Sequence, residues 1–89
     1  MAEAWVYLLR CADDSLYCGW TSDLDRRLRA HERGVASKYT ARRLPVALAA
    51  SWEMEDRTAA RREEARIKRL TRAEKLALLA AQPATGVSA

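Results

Sequence analysis

An α+β domain is the fold class this chain predicts, and three observations carry it. Two aromatic-rich apolar runs flank Asp13-Asp14-Ser15 in the pattern of a β-hairpin. Helix-capping residues precede apolar positions of helical period at three places. A third strand-like run follows Pro45, between the first and second of those helices. The 89 residues make one small domain with a modest core. Residues 1–81 are expected to form it, and 82–89, with too few large apolar side chains to pack, to be a disordered C-terminal tail.

The first strand covers about residues 4–11 and the second 16–20. Side chains alternate faces along a strand, so the loop between them decides whether Tyr7 and Tyr17 meet. A two-residue loop, Asp13-Asp14, pairs Ala12 with Ser15 and sends the tyrosines to opposite faces. A three-residue loop, Asp13-Asp14-Ser15, pairs Ala12 with Leu16 and Tyr17 with Cys11, on the face of Tyr7. The second is expected, with a left-handed residue near Asp14 or Ser15.

Thr21-Ser22-Asp23 then offers N-caps, with Asp25 placed as a capping partner for Ser22, and Gly34 stops a helix of about residues 23–33. At 100° per residue, Leu24, Leu28 and Val35 lie within about 40° of one another and mark its buried side. His31 falls inside that stripe and Arg27 on its border, while Arg26, Arg29 and Arg33 point roughly the opposite way. Residues 36–43 read as a basic loop and 46–54 as the third strand. Asp56 caps a second helix reaching Leu70, whose apolar line of Ala60, Ile67 and Leu70 has Glu63 and Glu64 on either side. Thr71-Arg72-Ala73-Glu74 has capping-box spacing and starts a third helix carrying Leu76, Leu78 and Leu79.

Sixteen Lys and Arg against twelve Asp and Glu leave a net charge of +4, compatible with a polyanionic partner. Thirteen of the cations are Arg, which grips phosphate in a bidentate way that Lys cannot. No apolar run approaches the ~20 residues of a membrane span. Met1-Ala2-Glu3-Ala4 leads straight into the first strand with no basic and apolar leader, so the expected location is the cytoplasm. Cys11 and Cys18 are too few for a disulfide framework and match no metal-ligand spacing, so both are expected as reduced thiols.

Tyr7, Tyr17, Arg27 and His31 together supply what phosphodiester cleavage needs: groups that handle protons and a guanidinium that stabilises charge. A cation on a core-facing border must find an anion or a polar cleft. Arg27 is therefore either salt-bridged to an acid such as Glu3 or Glu53, or part of a site. His31 is either a hydrogen-bonded core imidazole or a catalytic one. One carboxylate beside a phosphate can hold Mg²⁺, with water and substrate oxygens completing the shell, and periodicity leaves Glu63 and Glu64 equal. In the basic loop, Lys38, Arg42 and Arg43 could hold a nucleic-acid backbone while Tyr39 stacks on a base.

In order and spacing, Trp5-Val6-Tyr7, Tyr17-Cys18-Gly19, Thr21-Ser22-Asp23-Leu24 with Arg27 and His31, Lys38-Tyr39-Thr40, and Glu64-Ala65-Arg66-Ile67-Lys68 resemble the GIY-YIG nuclease superfamily. The likeness is to its small single-domain bacterial members, called URI-domain proteins, and covers about residues 4–80. It departs from the name-giving motif at Trp5 and Cys18, and Asp14 stands where relatives often carry a turn glycine. The resemblance implies a three-stranded antiparallel sheet flanked by about three helices. It implies a water-activating role for Tyr7, with Tyr17 lining the same site and His31 sharing the base role. Arg27 would stabilise the phosphate, and Glu64, rather than Glu63, would hold one divalent metal, Mg²⁺ or Mn²⁺. The implied substrate is nucleic acid, DNA ahead of RNA. Nothing here resembles the appended DNA-binding domains of larger relatives, so a homodimer or a partner protein would supply specificity. The alternatives are a non-catalytic nucleic-acid-binding module on the same fold and a protein-interaction domain anchored by Trp5 or Trp20.

Overall fold

The computed structural model describes residues 3–81, and the tail expected at 82–89 lies outside the described residues. The strands are β1 (Ala4–Arg10), β2 (Leu16–Thr21) and β3 (Ala47–Met54). The helices are α1 (Leu24–Glu32), α2 (Lys38–Ala41), α3 (Arg57–Lys68) and α4 (Arg72–Ala81). The strands form one antiparallel sheet in the order β2-β1-β3, so β1 is central and β2 is an edge. This is the α+β architecture expected from the sequence, with one helical turn more.

Strand parity divides β1 between two faces of the sheet. Ala4, Val6 and Leu8 are buried with Cys18 of β2 and with Ala60 and Ile67 of α3, and Leu78 and Leu79 of α4 pack against that cluster. Tyr7 points to the other face, where it meets His31 of α1. Fully burying an apolar side chain contributes about 1.5–3 kcal/mol, and both faces share in it, since Leu9 and Tyr7 are buried opposite the α3 face.

In the hairpin, Tyr7 stands opposite Gly19 and Leu9 opposite Tyr17, and Cys11 N–H donates to Ser15 O at 2.9 Å. The loop is therefore Ala12-Asp13-Asp14, one residue earlier than expected, and Tyr17 faces Leu9 rather than Cys11. Parity survives the shift, and the two tyrosines do share a face. The cause is local. Asp14 takes the left-handed conformation at φ 69° that closes a three-residue hairpin loop. The Asp13 carboxylate accepts from both the N–H and the hydroxyl of Ser15, fixing Ser15 as the first residue past the turn. Arginines from three parts of the chain then clasp the tip: Arg43 holds Asp13 at 3.0 Å, while Arg10 and Arg72 hold Asp14 at 2.8 and 3.2 Å.

Asp23, not Ser22, caps α1, accepting from Arg26 N–H at 3.1 Å. At the other end Gly34, at φ +77°, terminates the helix. Gly34 N–H donates to His31 O and Val35 N–H to Ala30 O, a Schellman closure. Helical periodicity ends there, and Val35, expected on the buried side, is instead 68% exposed. Leu24 and Leu28 are half-buried, leaving His31 as the fully buried residue of α1.

The expected basic loop contains α2, capped by Ser37, whose hydroxyl accepts from Thr40 N–H at 3.1 Å. Asp56 caps α3 as expected, but the helix ends at Lys68, short of Leu70. Before α4, Thr71 and Glu74 form the reciprocal capping box at 2.8 and 3.1 Å. No helix among the described residues is long and apolar enough to cross a membrane. Cys11 and Cys18 are free and buried.

Candidate active site

A chain of hydrogen bonds runs from β1 through α1 to α2. The Tyr7 hydroxyl lies 2.8 Å from His31 Nε2, and His31 Nδ1 lies 2.8 Å from Thr40 Oγ1. Thr40 in turn lies 3.1 Å from the Ser37 hydroxyl and can donate to Ser37 O at 3.4 Å. All three linked residues are buried: Tyr7 and His31 are 1% exposed and Thr40 0%. A buried imidazole needs a partner on each nitrogen, and here each has one.

Tyr7 fits only because its cross-strand partner is Gly19. A Cβ at position 19 would lie 2.6 Å from the Tyr7 hydroxyl and 2.7 Å from Cζ, so the phenol lies across the backbone of β2. That sets the buried hydroxyl against the backbone of the edge strand, facing His31. Tyr17, half-buried, packs edge-on to His31 with ring centroids 5.3 Å apart. Its ring also lies 5.7 Å from that of Tyr39. Tyr7, Tyr17 and His31 are thus brought together.

Arg27 is exposed on α1 and forms no salt bridge to Glu3 or Glu53. It lines a hollow with Thr21, Ser22, Asp23, Arg26 and Ala30. From there its charge reaches both Tyr7 and His31. Burial, with the neighbouring Tyr17 phenol, pushes the Tyr7 pKa above the ordinary tyrosine range, and Arg27 only partly opposes this. Burial and the same guanidinium lower the His31 pKa. Both groups are therefore neutral near pH 7.

The expected backbone-holding residues divide. Lys38, Tyr39 and Arg42 are exposed. Arg43 is already engaged: it pairs with Asp13, donates to Tyr39 O at 3.0 Å and lies 3.8 Å over the Tyr39 ring. It orders Tyr39 instead of reaching outward.

Glu63 and Glu64 are no longer equivalent. Glu63 is held in a two-pronged pair by Arg66 at 2.9 and 2.6 Å, which lowers its pKa. Glu64 makes one longer contact, 3.3 Å to Lys68. It lines a second hollow with Trp20, Thr58, Arg61, Arg62 and Ala65. Since α3 packs on the sheet face opposite Tyr7, Glu64 is separated from the tyrosines by the edge strand β2, whose Trp20 lines its hollow. Cys18 lies beneath, its Sγ 4.0 Å from Glu64 O and its thiol pushed up to about 12, chiefly by burial. Among the described residues no group of three or more His, Cys, Asp or Glu could hold a metal ion. A hard divalent ion at Glu64 would take its other ligands from water and substrate oxygens and would compete with the 3.3 Å contact to Lys68, which a partly exposed carboxylate allows.

Two residues of this constellation had no assigned role in the sequence, Gly19 and Thr40. Both sit inside strings that carried the resemblance, Tyr17-Cys18-Gly19 and Lys38-Tyr39-Thr40. Only the fold shows that one makes room for Tyr7 and the other partners His31.

The family described as GIY-YIG catalytic domain matches residues 3–77. A UPF0213 protein of Xanthomonas axonopodis pv. citri is 50% identical over 80 residues, 90% of this chain and 78% of that protein. One of Clostridium perfringens is 44% identical, over 88% of this chain and 84% of that protein. The solution NMR structure of a UPF0213 protein from Bacillus halodurans superposes with a TM-score of 0.61 at 38% identity, covering 91% of this chain and 86% of that one.

Proposed function

The chain belongs to the GIY-YIG catalytic domain family, and from that premise we propose that it is a metal-dependent endonuclease, cleaving phosphodiester bonds in nucleic acid, DNA in preference to RNA, during repair or processing. The observation that supports this most is the buried Tyr7–His31–Thr40 chain beneath the edge strand β2, with the charge of Arg27 acting on both Tyr7 and His31.

A raised pKa rules out a standing tyrosinate, so Tyr7 works as a relay. Its oxygen takes a proton from the attacking water while its own proton passes to His31 Nε2. For that, Nε2 must be bare, which follows when Nδ1–H donates to Thr40 and Thr40 directs its proton to Ser37. The lowered His31 pKa keeps the imidazole neutral and ready to accept. Water oxygen bonds to phosphorus, the bond to the 3′ oxygen breaks, and that oxygen is protonated from solvent, leaving a 5′ phosphate. Arg27 stabilises the charge that builds on the non-bridging oxygens. A Mg²⁺ or Mn²⁺ ion held by Glu64 would supply Lewis-acid stabilisation of the leaving oxygen.

The test is incubation with labelled DNA and RNA of several forms plus Mg²⁺ or Mn²⁺, beside Arg27→Ala and Glu64→Ala. Removal of a transition-state donor costs about 10²–10³ in rate, and losses of that order are expected in both variants. Cleavage that survives both substitutions would sink the site. Salt-sensitive binding by wild type without cleavage would favour the non-catalytic binding module.

A further inference from the structure

The hollow on the α3 side of β2 contains more than Glu64. Thr58, Arg61, Arg62 and Ala65 recur at i, i+3, i+4 and i+7, so they form one stripe along the helix facing Trp20 of the edge strand. Neither Arg61 nor Arg62 has an ion-pair partner among the described residues. The carboxylates next to them in sequence, Glu63 and Glu64, are taken by Arg66 and Lys68. Two guanidiniums without an ion pair outnumber the one carboxylate of the hollow, Glu64, which is paired with Lys68; they call for an anion, and phosphate is the one whose oxygens they match in a bidentate way.

Trp20 and Thr21 are neighbours on β2 and point to opposite faces, one lining each hollow. The Arg27 hollow and the Arg61–Arg62 hollow are thus separated by one edge strand. We infer that the α3-side hollow is a second phosphate subsite, in which Arg61 and Arg62 hold the backbone of the strand whose scissile phosphate lies near Arg27. The strand crosses the sheet edge at Trp20 and Thr21, the half-buried pair that lines the two hollows. This rests on the nuclease reading above, and it accounts for how a carboxylate on the far face of the sheet can serve the same phosphate as Tyr7: the substrate bridges the edge.

The experiment is equilibrium binding of a fluorescent oligonucleotide in EDTA, where no metal supports cleavage, across a salt series. Wild type is compared with Arg61→Ala/Arg62→Ala and with Arg57→Ala/Arg69→Ala, which removes the same charge from the same helical segment outside the hollow. Circular dichroism confirms folding of each surface variant. If Arg61 and Arg62 each neutralise a phosphate, their loss lowers the slope of log K against log salt by about 1–2 and weakens binding about tenfold or more near 0.1 M salt. The control pair should change the slope by well under one. Equal weakening by both pairs, or none by the first, overturns the subsite. Failure of the nuclease reading is distinct: oligonucleotide held with the expected slope change but never cut with metal present leaves the subsite standing, whereas a wild type that binds no oligonucleotide removes both.

Discussion

Gly19→Ala tests the site at its tightest point. The backbone at Gly19 is not left-handed, so the constraint is spatial: the new methyl would meet the Tyr7 hydroxyl at 2.6 Å and Cζ at 2.7 Å. An ordinary contact begins near 3.4 Å, so the phenol must retreat by about 0.8 Å. It has nowhere to go. Tyr7 is 1% exposed and backed by His31, whose ring centroid is 5.6 Å away. A shift of that size either stretches the 2.8 Å Tyr7–His31 bond out of range or drives one ring into the other.

Overpacking of this kind costs about 1–3 kcal/mol of stability. Misplacing a reacting group by ~1 Å costs about 10²-fold in rate. Single-turnover cleavage and urea unfolding of the same preparation measure both. The sharper form is a double-mutant cycle with Tyr7→Phe, because once the hydroxyl is gone, alanine at position 19 has no proton relay left to disturb. The rate losses should then fail to add. A Gly19→Ala protein within about threefold of the wild-type rate and within ~0.5 kcal/mol of its stability would refute the placement of Tyr7.

Thr40→Val keeps the shape but strands His31 Nδ1, at a cost of about 1–3 kcal/mol. Its specific signature is loss of a single imidazole tautomer in ¹⁵N NMR, with Thr40→Ser restoring both tautomer and rate; an unchanged tautomer in Thr40→Val would refute the role. The cleavage rate should climb with pH on an acid limb that bends below 6.5 and then level off, because His31 must be neutral and its pKa is lowered. Stability carries the same sign: the unfolded imidazole binds its proton more readily, so stability is fully present above about 6.5 and is lost as pH falls through the lower folded value. Urea midpoints at pH 7.5 and pH 5 should differ less in His31→Gln than in wild type.

The features legible in the sequence are those set by local rules. Strand parity put Tyr7 and Tyr17 on one face despite a one-residue error in the loop, because a period of two tolerates a shift that moves both partners evenly. The error came from side-chain hydrogen bonding: nothing in residue type alone says that Asp13 will grip Ser15. Helix periodicity selected His31 correctly and misjudged Val35, since the Schellman closure at Gly34 ends the geometry on which the angle depends. Arg27 also lies farther out than its angular position suggested, because α1 packs shallowly and its leucines are only half-buried. The link from His31 to Thr40 spans nine residues through a turn and a short helix, and no periodicity carries information across such a break.

The central strand has one last consequence. On β1 the even-numbered residues Ala4, Val6 and Leu8 face α3, while Tyr7 faces the hydrogen-bond chain. A single seven-residue segment therefore carries two structural roles at alternate positions. Substitution at the even positions acts on the packing against α3 without touching the hydrogen bond to His31, whereas substitution at the buried Tyr7 alters both the packing and that bond. The α3 side of the strand can therefore be repacked while the hydrogen bond from Tyr7 to His31 on the other side is kept.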